Sequence, residues 1–131
     1  MLIVPLQGRE VFTAGDGTHL REILDPTLAP GMRYSIAHAW VNPGEASQPH
    51  LLLSSEVYFI LEGAGVMHVA GEEAEVSAGD TIYVPPGARQ FIRNTGDVPL
   101  VFLCMVDPAW RAENEQVILP QVDGRILTER G

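Results

Sequence analysis

Glycine and proline interrupt this chain so often that no helix of ordinary length fits between them. Thirteen glycines and ten prolines are spread over 131 residues. They gather in clusters such as "TAGDGT", "DPTLAPG", "NPGEASQP", "EGAG", "SAGD", "PPGA" and "NTGDVP", which supply the backbone conformations that tight turns need. Between the clusters lie short runs rich in β-branched and aromatic residues. Turn signals recurring about every 8–12 residues mark an all-β sandwich or barrel. Strands are expected at 2–5, 11–13, 19–24, 32–41, 56–62, 66–70, 73–76, 80–84, 89–94 and 100–106. The only helical turn expected follows "DPAWRAENE", with Asp107 as its cap and Pro108 as its first residue. No repeat or linker divides the chain, so one β domain is expected over residues 1–131.

Apolar residues make up 46% of the chain, enough for one real core at this length. A formal charge of −9 argues against nucleic acid or an anionic membrane as partner, since phosphate recognition needs clustered Lys and Arg. The apolar runs are far shorter than the roughly 18 residues that cross a bilayer. The uncharged start "MLIVPL" is too short for a signal peptide. A single cysteine, Cys104, excludes an intrachain disulfide and fits a reducing compartment. These features together predict a cytoplasmic protein. Leu2 to Leu6 reads as an added strand at a sheet edge, and such edges invite pairing with a second subunit, so a homodimer is expected.

The stretch "PGEASQPHLLLSSEVYFILEG" places His50 and a lone carboxylate, Glu56, among apolar residues. Burying an ionised carboxylate without a partner costs several kcal/mol. Glu56 must therefore pair, stay protonated or hold a cation. On a strand, alternate residues share a face, so Glu56, Tyr58 and Ile60 point together, as do Gln90, Ile92 and Asn94. The same parity turns Arg89 and Arg93 outward.

The polar and turn residues follow a fixed spacing: Gly44, five residues, His50, one residue, Leu52, three residues, Glu56, six residues, Gly63. A second run reads Gly79, five residues, Pro85-Pro86-Gly87, two residues, Gln90, three residues, Asn94. Together they closely resemble the two motifs of the cupin superfamily, and the short stretch between them is similar to that of small bacterial single-domain cupins. The resemblance implies a jelly-roll β-barrel with its core motifs at 44–94, edge strands within 1–13 and a C-terminal extension at 107–131.

The resemblance also implies a metal site, built in the family from two His and one Glu of the first motif and one His of the second. Those positions hold His50, Leu52, Glu56 and Gln90 here, so two of the four ligands are changed. Imidazole, carboxylate and amide oxygen are acceptable ligands for Mn²⁺, Fe²⁺, Ni²⁺ or Zn²⁺, which makes His50, Glu56 and Gln90 the candidate metal set. Leu52 and Tyr58 are then expected to shape a ligand pocket. Two alternatives stay open: a metal-free pocket in which His50, Gln90 or an arginine satisfies Glu56, and a relic without function. The function expected is binding of a small organic ligand inside the barrel, directly or through a divalent metal. The alternative is a metal-dependent dioxygenase or isomerase acting on a small oxygen-rich substrate.

Overall fold

The computed structural model describes residues 1–122 and 125–129, with side chains through Ile118. Among the described residues, twelve strands pair into two antiparallel six-stranded sheets. The first contains β1 (Phe12–Thr13), β2 (His19–Leu24), β3 (Ser35–Val41), β10 (Leu100–Asp107), β5 (Ser55–Glu62) and β8 (Thr81–Val84), in that spatial order. The second runs β12 (Arg125–Glu129), β11 (Glu115–Val122), β4 (His50–Leu52), β9 (Gln90–Asn94), β6 (Ala64–Val69) and β7 (Glu72–Ser77). Non-sequential neighbours such as β3–β10, β5–β10 and β4–β11 make this a jelly roll rather than a meander. Among the described residues, no helix is long and apolar enough to cross a membrane.

Alternation along each strand fills the space between the sheets. On β5, Glu56, Tyr58 and Ile60 are buried while Phe59 and Leu61 are exposed. Gln90, Ile92 and Asn94 of β9 are buried in the same way, and Arg89 and Arg93 are exposed. The core joins Ile60, Ile92, Leu100 and Phe102 from both sheets, each no more than 1% exposed. One end of the barrel is closed by very close backbone packing. Gly63 turns with φ of 85°, and a Cβ there would lie 2.7 Å from the Pro99 carbonyl oxygen. At Gly65 a Cβ would strike the Arg93 carbonyl oxygen and approach Leu100 Cδ2 to 2.7 Å.

Several expected boundaries shift. Leu2–Pro5 forms no strand, since among the described residues no strand pairs with it; Leu2 and Ile3 are exposed, and the sheet edge falls to Phe12–Thr13. Strand β3 starts at Ser35 rather than Met32, since the Met32 N–H closes a turn on the Ala29 carbonyl. Asp107 caps no helix. It ends β10 opposite Ser55, and its carboxylate takes two hydrogen bonds from Arg33, at 3.0 and 2.9 Å. The helical turn is a short 3₁₀ segment, Ala112–Asn114, preceded by Arg111. Strands β4, β11 and β12 were not expected. Of these, β11 binds β4 with Glu115 opposite Leu52 and Val117 opposite His50, so residues beyond Asp107 complete the second sheet.

Candidate functional site

Between the sheets, away from the closed end, lies a cavity of about 70 Å³. The room exists because β3 turns Ser35, Ala37 and Ala39 inward, where larger side chains would fill it. At roughly 10–15 Å³ per water, it holds on the order of five waters or a molecule of a few heavy atoms. Its walls bring together His50 and Leu52 from β4, Glu56 and Tyr58 from β5, and Cys104 from β10. They also bring three carboxyls that the sequence reading did not single out: Asp16, Glu22 and Glu115.

Each carboxyl arrives by a local rule. Asp16 sits in the turn between β1 and β2, where its Oδ1 accepts the Thr18 N–H at 3.0 Å. That turn is tied to the strand of His50 by the Gln48 N–H, which donates to the Asp16 carbonyl at 2.6 Å. Glu22 shares the inner face of β2 with Leu20. Glu115 opens β11, where its Oε2 accepts the Trp110 indole N–H at 2.6 Å. Trp110 thereby lines the cavity too.

His50 is almost fully buried. Its Nδ1 lies 2.7 Å from the Gln48 carbonyl oxygen, which can only accept, so Nδ1 carries a proton. Nε2 lies 3.3 Å from Asp16 Oδ2, a contact that is favourable only with a proton between the two atoms. Glu56 is buried as well, and its Oε1 meets no donor. Burial pushes the Glu56 carboxyl up to about 7, against the opposing pull of His50 and polar contacts with Cys104 and Gln90. Burial raises Glu22 to about 7 as well, helped by Asp25, and it raises Glu115. The Cys104 thiol is pushed up by burial and then by Glu56, so it is a poor nucleophile.

Gln90 does not stand where the metal set requires it. It is completely buried, outside the cavity wall, and its Oε1 accepts the Tyr58 hydroxyl at 2.6 Å. With that oxygen engaged, the Nε2 end of the amide adds to the polar surroundings of Glu56 instead of supplying a ligand. Strand parity gave the right face, but the Tyr58 hydroxyl takes up the amide oxygen. Among the described residues, no three His, Cys, Asp or Glu side chains converge on one ion either. The residues present therefore do not fit the metal centre that the two motifs imply. The arginine alternative gains no support from the described residues. Arg33 is engaged with Asp107, Arg21 lies 5.5 Å over the Trp40 ring, and no Arg among the described residues lines the cavity.

Comparison with known proteins bears on the whole architecture. A family model described as "Cupin domain" matches residues 37–106. The chain is similar to an uncharacterized protein of Methanocaldococcus jannaschii, at 40% identity over 79% of this chain and 83% of that one. It is also similar to the oxalate-binding protein of Thermotoga maritima, 39% identical over 51 residues, which span 39% of this chain and 42% of that protein. Among solved structures, a predicted oxalate decarboxylase from Thermotoga maritima superposes with a TM-score of 0.73 and 25% identity, covering 82% of this chain and 99% of that one.

Proposed function

This chain belongs to the cupin family, and on that premise we propose that it binds a small organic molecule directly in the cavity between its sheets, without a metal. The observation that carries the reading is the pair of buried, unpaired carboxyl oxygens, Glu56 Oε1 and Glu115 Oε1, on the wall of one cavity. A buried acceptor left without a donor costs about 1–3 kcal/mol, so a ligand that supplies donors recovers that cost on binding. His50 and Asp16 add a polar pair at the same wall, while Leu52 and the Tyr58 ring give it apolar surface. Oxalate, named for the Thermotoga maritima relative, is a dianion. Here it would face four carboxyls with no arginine beside them among the described residues, so that ligand is not carried over.

The test fills the cavity. Small polar molecules that bind are expected to perturb the amide resonances of Ala37, Ala39 and Cys104, and Ala37→Leu is expected to abolish those shifts while leaving the fold intact. Binding that survives Ala37→Leu would place the ligand elsewhere. Near-stoichiometric metal in untagged protein, lost in both His50→Ala and Glu56→Ala, would restore the metal reading.

The protein also acts as a homodimer in this proposal, through the outer face of the first sheet rather than through its N-terminal residues. Phe59, Tyr83 and Met105 are exposed there, alongside Val57 and Leu103, and the acids on this side of β5 and β10, Glu62 and Asp107, stand at the strand ends in a chain of net charge −9. Two copies repel least across that face. Light scattering is expected to give the dimer mass for the wild type and the monomer mass for Phe59→Asp. A free buried thiol suits work in a reducing compartment such as the cytoplasm.

A further inference from the structure

The cavity carries an imbalance of charge. Asp16, Glu22, Glu56 and Glu115 open onto it, and among the described residues His50 is the one basic side chain in its wall. The arginine nearest Glu22, Arg9, donates its Nε–H to that residue's main-chain carbonyl at 2.8 Å instead of entering the cavity. Glu56 and Glu115 are 6% and 4% exposed, and each has an oxygen, Oε1, that accepts no well-aligned hydrogen bond. Acids in excess of bases call for a positively charged guest, and unpaired carboxyl oxygens call for one that carries N–H groups.

Two further facts narrow the class. The acids do not close around a single ion, so a point charge satisfies them less well than a cation whose donors are spread over several atoms. The rest of the wall is apolar, with Leu20, Leu52, Phe102 and Val106 suited to an alkyl chain and the Trp110 ring able to attract a cation. The volume of about 70 Å³ admits only a few heavy atoms.

We propose that the guest is a short primary alkylammonium, its N–H groups donated to Glu56 and Glu115 and its chain packed on Leu52 and Phe102. This assignment rests on the cavity-binding reading above and adds the sign of the ligand's charge. The alkylammonium is held as the intact cation, and no bond is made or broken.

The experiment is an amide NMR titration of the whole protein at about pH 8, with EDTA present, using n-propylammonium, propan-1-ol and propionate as size-matched probes. Propylammonium is expected to perturb the cavity residues with a Kd about tenfold below that of propan-1-ol, and propionate is expected to leave them unmoved. Glu56→Gln and Glu115→Gln are each expected to weaken propylammonium binding about fivefold and to weaken propan-1-ol binding less, because Gln keeps an acceptor oxygen and loses only the charge. Both variants exchange a buried acid for a neutral isostere, and an undiminished melting temperature verifies their folding. Propionate or propan-1-ol binding as tightly as the ammonium overturns the charge assignment and leaves the cavity reading standing, as does unchanged ammonium binding in both variants. If none of the three probes reaches the cavity residues, both readings fall.

Discussion

The two ends of the barrel interior treat buried polar groups in opposite ways. At the closed end, Asn94 uses its whole amide: Nδ2 donates to the Val41 and Val98 carbonyls at 2.9 and 2.8 Å, and Oδ1 accepts the Gly96 N–H at 2.8 Å. Around it Gly65, Ile92 and Leu100 leave no space. At the other end Glu56 and Glu115 keep unpaired oxygens beside an open cavity. A fully satisfied network specifies one packing, whereas unsatisfied groups cost stability and persist where function requires them. One end holds the fold and the other is held ready.

On that division, substitutions at the closed end are the most damaging. Gly65→Val drives a side chain into the Arg93 carbonyl and Leu100, and is expected to cost at least about 4 kcal/mol and remove the cooperative unfolding transition. Urea denaturation that matches the wild type would break the contrast. Asn94→Ala strands three backbone groups and is expected to lower stability by about 3 kcal/mol in the same measurement.

At the cavity end the sign reverses. Glu56 in the folded protein titrates at about 7, above its ordinary 4.5. Its favourable contribution is therefore complete below about pH 4.5 and is lost as pH rises through 7. Wild-type stability is expected to fall across that window, with Glu22 adding to the same trend. Glu56→Gln is expected to flatten the fall and to stabilise the protein by roughly 2–3 kcal/mol at about pH 8. A melting temperature that climbs from pH 5 to pH 8 in the wild type would contradict the buried, unpaired acid. The smallest effect belongs to the boundary between the two ends. Tyr58→Phe leaves Gln90 Oε1 without its donor and is expected to cost about 1–2 kcal/mol, with cavity binding retained.

Much of the scaffold was legible because its signals are local. Alternation identified the inner face of β5 and β9, and the turn clusters bounded most strands of both sheets. The conflict at Glu56 was also legible: an acid amid apolar residues had to be resolved somehow, and burial with a raised pKa is part of the resolution. The rest of the site is assembled by contacts distant in sequence. Asp16, flanked by glycines, has the composition of any turn. Glu115 lies just before "VILP", where Pro120 breaks the strand pattern, and it reaches the cavity only because β11 pairs with β4. Gln90 shows the converse error. Its position in a motif and its facing were read correctly, yet the Tyr58 hydroxyl captures its oxygen, an event that no spacing encodes.

The inward methyl groups of Ala37 and Ala39 set how much can be enclosed. Strand pairing through β3 uses main-chain atoms alone, so the ladder is indifferent to what those two positions carry. Descendants of one ancestral barrel can thus change the girth of their guest by single replacements on a central strand, with no adjustment of topology. Divergence in what such proteins recognise needs no new architecture, only a different pair of small residues.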